Sequence, residues 1–279
     1  MKKTIFFGLM LVLALGLFSC KGKEKEKSGN NDNPNSNPPA QVFSVSPSKR
    51  VTFSPGNLQY HPANNEWRFA EKQTDYIGDA NANISSTYNG WIDLFVWSTS
   101  TTNFGVSTST NDNDYSGSFV DWGTNKIGND APNTWRTLTD NEWYYLKHRR
   151  PNAFSLIGVA QVNGVNGLIF LPDNWTCPAG VTFKYGFHSN FGVDYYAAHQ
   201  TFTADQWSKL ETAGAVFLPA VGLRNGSDVY NVQNYGYYWS DTGGNFNSAY
   251  CVDFCSSQVT KNYGQRYHGK SVRLVKDVK

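Results

Sequence analysis

The chain has 279 residues, of which 39% are apolar and 15% aromatic, enough to bury one sizeable core. Its formal net charge of +2 rests on only 16% charged residues, so no long-range field favours nucleic acid or an acidic membrane surface as a partner. The 16 Tyr, 9 Trp and 25 Gly favour strands and irregular loops held by large aromatic anchors, because Gly permits tight turns while Tyr and Trp join an apolar face to a polar tip.

Lys2 and Lys3 precede an apolar run, 5–18, that is too short for a membrane span. Residues 1–20 therefore read as a signal peptide. Its end, Leu17-Phe18-Ser19-Cys20, resembles a bacterial lipobox, and the resemblance implies that Cys20 carries the lipid and becomes the first mature residue. Such a modification adds several acyl chains, which together anchor firmly where one would bind only marginally. Residues 21–41 are rich in Lys, Glu, Asn and Pro with no apolar periodicity, so they cannot bury enough surface to offset their ordering entropy and read as a tether. The charge run 21–27 also resembles the surface-export signals of Bacteroidetes lipoproteins. The expected location is the outer membrane, exposed at the cell surface, with the lipid anchor as the one membrane contact.

The folded part is expected over 42–279. Val51-Thr52-Phe53, Asn57-Leu58-Gln59-Tyr60 and Trp67-Arg68-Phe69 read as short strands around a Ser-Pro-Gly turn. From 75 to 122 the chain is polar but punctuated by Tyr88, Trp91, Phe95, Trp97, Phe104, Phe119 and Trp122, the pattern of an ordered loop region pinned by aromatics. Asp112, Asp114 and Asp121 lack the spacing of a calcium loop. They read as turn residues, and no metal is expected.

Two helices announce themselves. Thr139-Asp140-Asn141-Glu142 is a capping box leading into Trp143 and Leu146, with a basic end before Pro151. Thr203-Ala204-Asp205-Gln206 leads in the same way into Trp207 and Leu210, stopping near Gly214. Each is followed by an apolar strand ending Phe-Leu-Pro, at Phe170-Leu171-Pro172 and Phe217-Leu218-Pro219. A last apolar strand is expected at Ser271-Val272-Arg273-Leu274-Val275. The fold class is α+β, with two helices packed on short antiparallel sheets and long irregular loops.

The order Trp135-Arg136-x-Leu138-Thr139-x-x-Glu142-Trp143, Gly222-x-Arg224-x-Gly226, Gly236-Tyr237-Tyr238-Trp239-Ser240-x-Thr242 and Gly269-x-Ser271-Val272-Arg273 resembles the Fibrobacter succinogenes major paralogous domain, common in Bacteroidetes surface lipoproteins. The resemblance runs from about residue 42 to the C-terminus. It implies a single domain of the C-type lectin-like or formylglycine-generating-enzyme-like fold, with a display surface at about 220–270. Trp143, Trp207, Gly222, Arg224, Trp239 and Arg273 would then be framework, the arginines satisfying several carbonyls at once.

Three functions follow from the resemblance: an adhesin or receptor-type protein that grips a protein or glycan, a structural or tip subunit of a surface appendage, and an oxidase acting through paired cysteines. Cys251 and Cys255 stand closer in sequence than the oxidase pair, and the motif around that pair is missing. On a regular strand both point to one face about 13 Å apart, too far to bridge. With Cys177 as a third mature cysteine, at most one intramolecular disulfide forms. The motifs through which lectins of this fold hold sugars by calcium are also missing. The expected protein is not an enzyme and uses no cofactor, and it contacts its ligand through tyrosine, asparagine and aspartate.

The candidate ligand-binding residues are Asp228, Tyr230, Asn231, Asp241, Asn245, Asn247, Tyr250, Cys251, Asp253, Cys255, Ser256, Asn262, Tyr263, Tyr267 and His268. They are interleaved with the apolar framework of Ala249, Val252, Phe254 and Val259. The same frame resembles variable proteins of diversity-generating retroelements, which rewrite adenines. All the candidates belong to the residue types such rewriting of Asn codons can reach, whereas Gln233, Gln258, Lys261 and Gln265 do not and would be fixed.

Overall fold

A computed structural model describes residues 41–245 and 247–278. The expected signal peptide, Cys20 and all of the expected tether except Gln41 lie outside the described residues.

The chain opens with β1 (Phe43–Ser44), β2 (Arg50–Phe53), β3 (Leu58–His61) and β4 (Glu66–Phe69). The long excursion that follows contains short 3-10 turns, such as Gly78–Asn83 and Asp112–Tyr115, and is pinned by Phe95, Trp97, Tyr115 and Trp122, all buried. Of the three carboxylates read as turn residues, two hold the backbone and nearby side chains, while Asp112 lines the cleft described below. Asp121 accepts from the Gly123 and Thr137 amides at 2.8 and 2.9 Å, and Asp114 accepts from Ser109.

Helix α1 (Asp140–His148) starts at a reciprocal cap: Thr139 Oγ1 accepts from the Glu142 amide and Glu142 Oε2 from the Thr139 amide, both at 3.0 Å. Such a cap is worth about 0.5–2 kcal/mol. Beyond it come β5 (Ile157–Val162) and β6 (Val165–Phe170), joined by Asn163-Gly164 with both residues at positive φ, the two-residue turn that matches strand twist. A short helix, α2 (Asp194–His199), then β7 (Thr201–Phe202), α3 (Ala204–Thr212) and β8 (Val216–Pro219) complete this half. α3 carries the second cap, between Thr203 and Gln206. The sheet order is β7-β5-β6-β8, so the two Phe-Leu-Pro strands, β6 and β8, pair with each other antiparallel, Ile169 opposite Phe217.

The C-terminal part contains the hairpin β9 (Leu223–Asn225) and β10 (Asp228–Tyr230), then β11 (Gly236–Gly243), β12 (Ser248–Cys255), β13 (Gln258–Gln265) and β14 (Val275–Asp277). β11, β12 and β13 form an antiparallel meander, while β14 returns to pair with β2, which also holds β1. The result is an α+β protein of several small, mostly antiparallel sheets.

Two expectations need correction. There are three α-helices among the described residues rather than two; α2 spans 6 residues and has no side-chain cap to announce it. The apolar run 271–275 is not one strand, and only Val275 belongs to a ladder. Ser271 exchanges bonds with β11, Val272 accepts from Leu58 and Leu274 from Ser54, so the segment changes partner every residue or two and threads between sheets.

Three apolar clusters form the core. The first joins β5, β6 and β8 to Trp143, Tyr238, Val252 and Phe254. A second surrounds Trp67, Trp97, Trp122, Trp239 and Cys251, and a third lies around Trp207 and Phe217. The β11-β12-β13 sheet therefore feeds one core from each of its faces.

Candidate functional site

Strand alternation sorts the meander. Tyr238, Val252 and Phe254 share the face that packs towards Trp143. Tyr237, Trp239, Cys251, Asp253 and Cys255 lie on the other face. That second face is covered at the Trp239 end by Trp97 and Phe95 but opens at the Tyr237 end into a groove of about 320 Å³, lined by Tyr235, Tyr237, Asp253, Phe254, Cys255, Gln258, Thr260 and Asn262. The Tyr235 and Tyr237 rings stack there at 5.6 Å and 21°. Asp253 Oδ2 accepts from Asn262 Nδ2 at 2.7 Å, and Asn231 Nδ2 donates to the Tyr237 hydroxyl at 3.3 Å. Burial pushes the Tyr237 phenol up to about 12, so it stays protonated.

A larger cleft, about 680 Å³, opens at the far end of the same hairpin and is lined by Asp112, Gly244, Asn245, Asn247, Ser248, Tyr250, Tyr263, Gly264, Gln265 and His268. Arg266 holds its base. The guanidinium donates to the Ser248 carbonyl at 3.0 Å and the Tyr115 carbonyl at 2.9 Å and lies over the Trp97 ring at 4.4 Å. Burial, reinforced by the nearby Lys270 charge, pushes His268 down to about 4, so it is neutral near pH 7. Asp112 is then the sole formal charge among the lining side chains.

The structure thus brings Asn245, Asn247, Tyr250, Tyr263 and His268 together in the cleft, and Asp253, Cys255 and Asn262 in the groove, with Asn231 bonded to its rim. Asp228 and Tyr230 share their own exposed hairpin, where the Tyr230 hydroxyl donates to the Asp228 carboxylate. Tyr267 packs edge-on against His268 at 4.8 Å but lines neither cavity. Asp241 is set apart: half-buried, it accepts from Thr242 at 2.7 Å and feels the charges of Asp121 and Glu142.

Four candidates must be withdrawn as exposed display positions. Cys251, Asp253 and Cys255 retain 2%, 8% and 2% of their surface, because β12 is the middle strand and is covered along most of both faces, and Ser256, just beyond its end, retains 0%. Ser256 serves the fold: its hydroxyl donates to the Asn190 carbonyl and accepts from the Gly192 amide, both at 3.1 Å. Cys251 and Cys255 are unbridged thiols. Cys251 contacts Lys270 and Asp253, while Cys255 contacts Ser257.

The framework residues Trp143, Trp207, Arg224, Trp239 and Arg273 are buried. Gly222 has φ +75°, and a Cβ there would collide with the Tyr230 carbonyl, so only glycine fits. Arg224 donates to the carbonyls of Ser107, Leu94 and Gly226. Arg273 departs from the expectation of several carbonyls, since its guanidinium meets the Gln73 side-chain oxygen at 2.6 Å. Gln233 is fixed structurally, accepting from the Asn166 amide and donating to the Tyr76 hydroxyl.

Sequence reasoning missed Tyr235, Tyr237, Ser248 and Thr260 as cavity residues. Strand alternation gave no signal for them: Tyr238 and Trp239 also point to opposite faces, and both are buried. No cluster of three or more His, Cys, Asp or Glu side chains among the described residues is placed to hold a metal ion. The chain matches no protein-family model, no curated protein and no solved structure.

Proposed function

We propose that this chain is a surface-exposed outer-membrane lipoprotein whose domain, of the C-type lectin-like kind, binds a neutral glycan in the cleft between β12 and β13. The observation that carries this reading is the cleft's lining. Two tyrosine rings, three side-chain amides, a serine and a neutral histidine surround it with a single carboxylate and no cation. Aromatic faces cover the apolar face of a sugar ring while amides and hydroxyls exchange hydrogen bonds with its hydroxyl groups. A strongly charged ligand would find little to neutralise it there.

The scaffold supports such a role. The buried arginines and tryptophans hold the meander rigid, so the lining groups need little ordering on binding. The diversification reading draws support from the exposed candidates alone, since random replacement at Cys251, Asp253, Cys255 or Ser256 would strike the core. A neighbouring reverse-transcriptase gene with a near copy of this 3′ segment would support it; flanking DNA with neither would remove it.

The test is a printed array of neutral and acidic glycans probed with the full chain and with Tyr263→Ala. Binding to neutral glycans that falls at least tenfold in the variant, about 1.4 kcal/mol, supports the reading. Failure to bind any glycan, or equal binding by both proteins, sinks it.

A further inference from the structure

We propose that Lys270 and Cys251 form an oxidative covalent cross-link in which one oxygen atom bridges the lysine nitrogen and the cysteine sulfur. Lys270 Nζ and Cys251 Sγ lie 2.9 Å apart, with Lys270 3% exposed. The ammonium stands over the Trp239 and Tyr237 rings at 4.6 and 5.2 Å. A buried ammonium ordinarily seats itself on a carboxylate. Here the Asp253 carboxylate is 3.9 Å away, farther than the sulfur, so the nitrogen is aimed at the thiol.

Both ends are fixed by backbone. Lys270 exchanges amide and carbonyl bonds with Phe95 at 2.8 and 2.9 Å, and Cys251 sits in the middle strand opposite Trp239 and Asn262. The encounter is therefore already made by the fold, which removes most of the entropic barrier to reaction between the two groups. Their gap is much longer than a nitrogen–sulfur bond, so direct condensation would drag both strands together. Insertion of one oxygen asks for little movement.

The oxidant is dioxygen, small and apolar enough to reach a core sulfur. The ammonium, the thiol and dioxygen give the bridged product, one water and one proton. Nitrogen–hydrogen and sulfur–hydrogen bonds break, nitrogen–oxygen and oxygen–sulfur bonds form, and the second oxygen leaves as water with two of the hydrogens. Nitrogen and sulfur each give up an electron pair, and dioxygen takes both pairs. The released proton passes to Asp253, whose Oδ1 already accepts from the thiol at 3.1 Å and which lines the groove leading to solvent. Cys251 is 2% exposed, so bulky alkylating agents and partner thiols do not reach it in the folded protein.

The experiment digests the full chain with trypsin after incubation in oxygenated buffer and, separately, under anaerobic dithiothreitol. Cleavage after Arg224, Lys261, Arg266 and Arg273 leaves the link between peptides 225–261 and 267–273. The expected species has the summed mass of the two peptides plus one oxygen and minus two hydrogens. It should appear in the oxygenated sample, vanish with dithiothreitol, and be missing from both Cys251→Ser and Lys270→Arg. Recovery from oxygenated wild type of peptide 225–261 alone, with Cys251 fully alkylated after denaturation and with cleavage after Lys270, overturns the proposal without requiring any variant to fold. Persistence of the linked species in Cys251→Ser overturns it equally.

Discussion

Tyr250 and Tyr263 stand directly opposite each other on β12 and β13, with ring centroids 6.5 Å apart and planes at 80°. Edge-to-face pairs of this kind add about 0.5–1.5 kcal/mol beyond their burial, and Lys261 steadies this one by lying 4.5 Å over the Tyr250 ring while bonding Asp140 at 2.5 Å. The two rings form a fixed corner of the cleft rather than a pair of loose side chains.

Tyr263 keeps 66% of its surface exposed, so Tyr263→Ala should change stability by roughly 1 kcal/mol or less while weakening ligand binding. Tyr230→Ala, on the separate β9-β10 hairpin, should leave binding in the cleft near wild type. Isothermal titration with a glycan selected from the array, alongside thermal melts, reads both. A large drop in melting temperature for Tyr263→Ala would show that the ring holds the hairpin.

Trp239, on β11, is buried in the cluster that holds Trp97 and donates its indole N–H to the Phe95 carbonyl at 2.8 Å. Trp239→Ala should cost about 3–5 kcal/mol, and Trp239→Phe less, since the latter keeps most of the volume and loses mainly the hydrogen bond. Urea unfolding of the two variants should rank them in that order. Equal midpoints would mean that the hydrogen bond, not the packing, dominates.

Asp93 is buried, and burial pushes its carboxyl up from 3.8 to about 6 despite bonds from Asn81 and the Ile77 amide. A carboxyl whose folded pKa is raised binds more protons in the native state. Its contribution to stability is therefore fully present below 3.8 and declines as pH rises through about 6, by an amount on the order of 1–3 kcal/mol. Chemical denaturation across that window should show the decline in wild type and a flatter profile in Asp93→Asn, whatever that variant's absolute stability. Parallel profiles would remove Asp93 as the source.

Cys20 lies outside the described residues, yet it bears directly on location. Cys20→Ala should move the protein from the membrane pellet to the soluble fraction and abolish labelling by a palmitate analogue. Unchanged partition and labelling would remove the lipoprotein reading.

The helices were legible because their information is local. Thr139 with Glu142 and Thr203 with Gln206 each satisfy orphan amides within one turn, so four residues suffice to place a helix start. The short α2 carried no such mark. Within the candidate site, the exposed Asn245 and Tyr263 were found as polar positions on an alternating segment, but so were Cys251 and Ser256, which are buried.

What the sequence by itself determined is the set of pieces: two capped helices, a C-terminal segment in which polar and apolar residues alternate, and the framework glycine at Gly222. What only the tertiary structure decided is which residues of the meander remain exposed. Alternation distinguishes inside from outside when one face of a sheet is covered. Here Trp143 packs towards one face and Trp97 against the other, so odd and even residues of β12 are both buried through its middle. Exposure returns only where those covers end, at Tyr237 on one side and at Tyr263 on the other. The positions of the covers are set by contacts between residues more than a hundred apart in the chain, such as Trp97 Nε1 donating to the Ser240 carbonyl, and no local pattern encodes them.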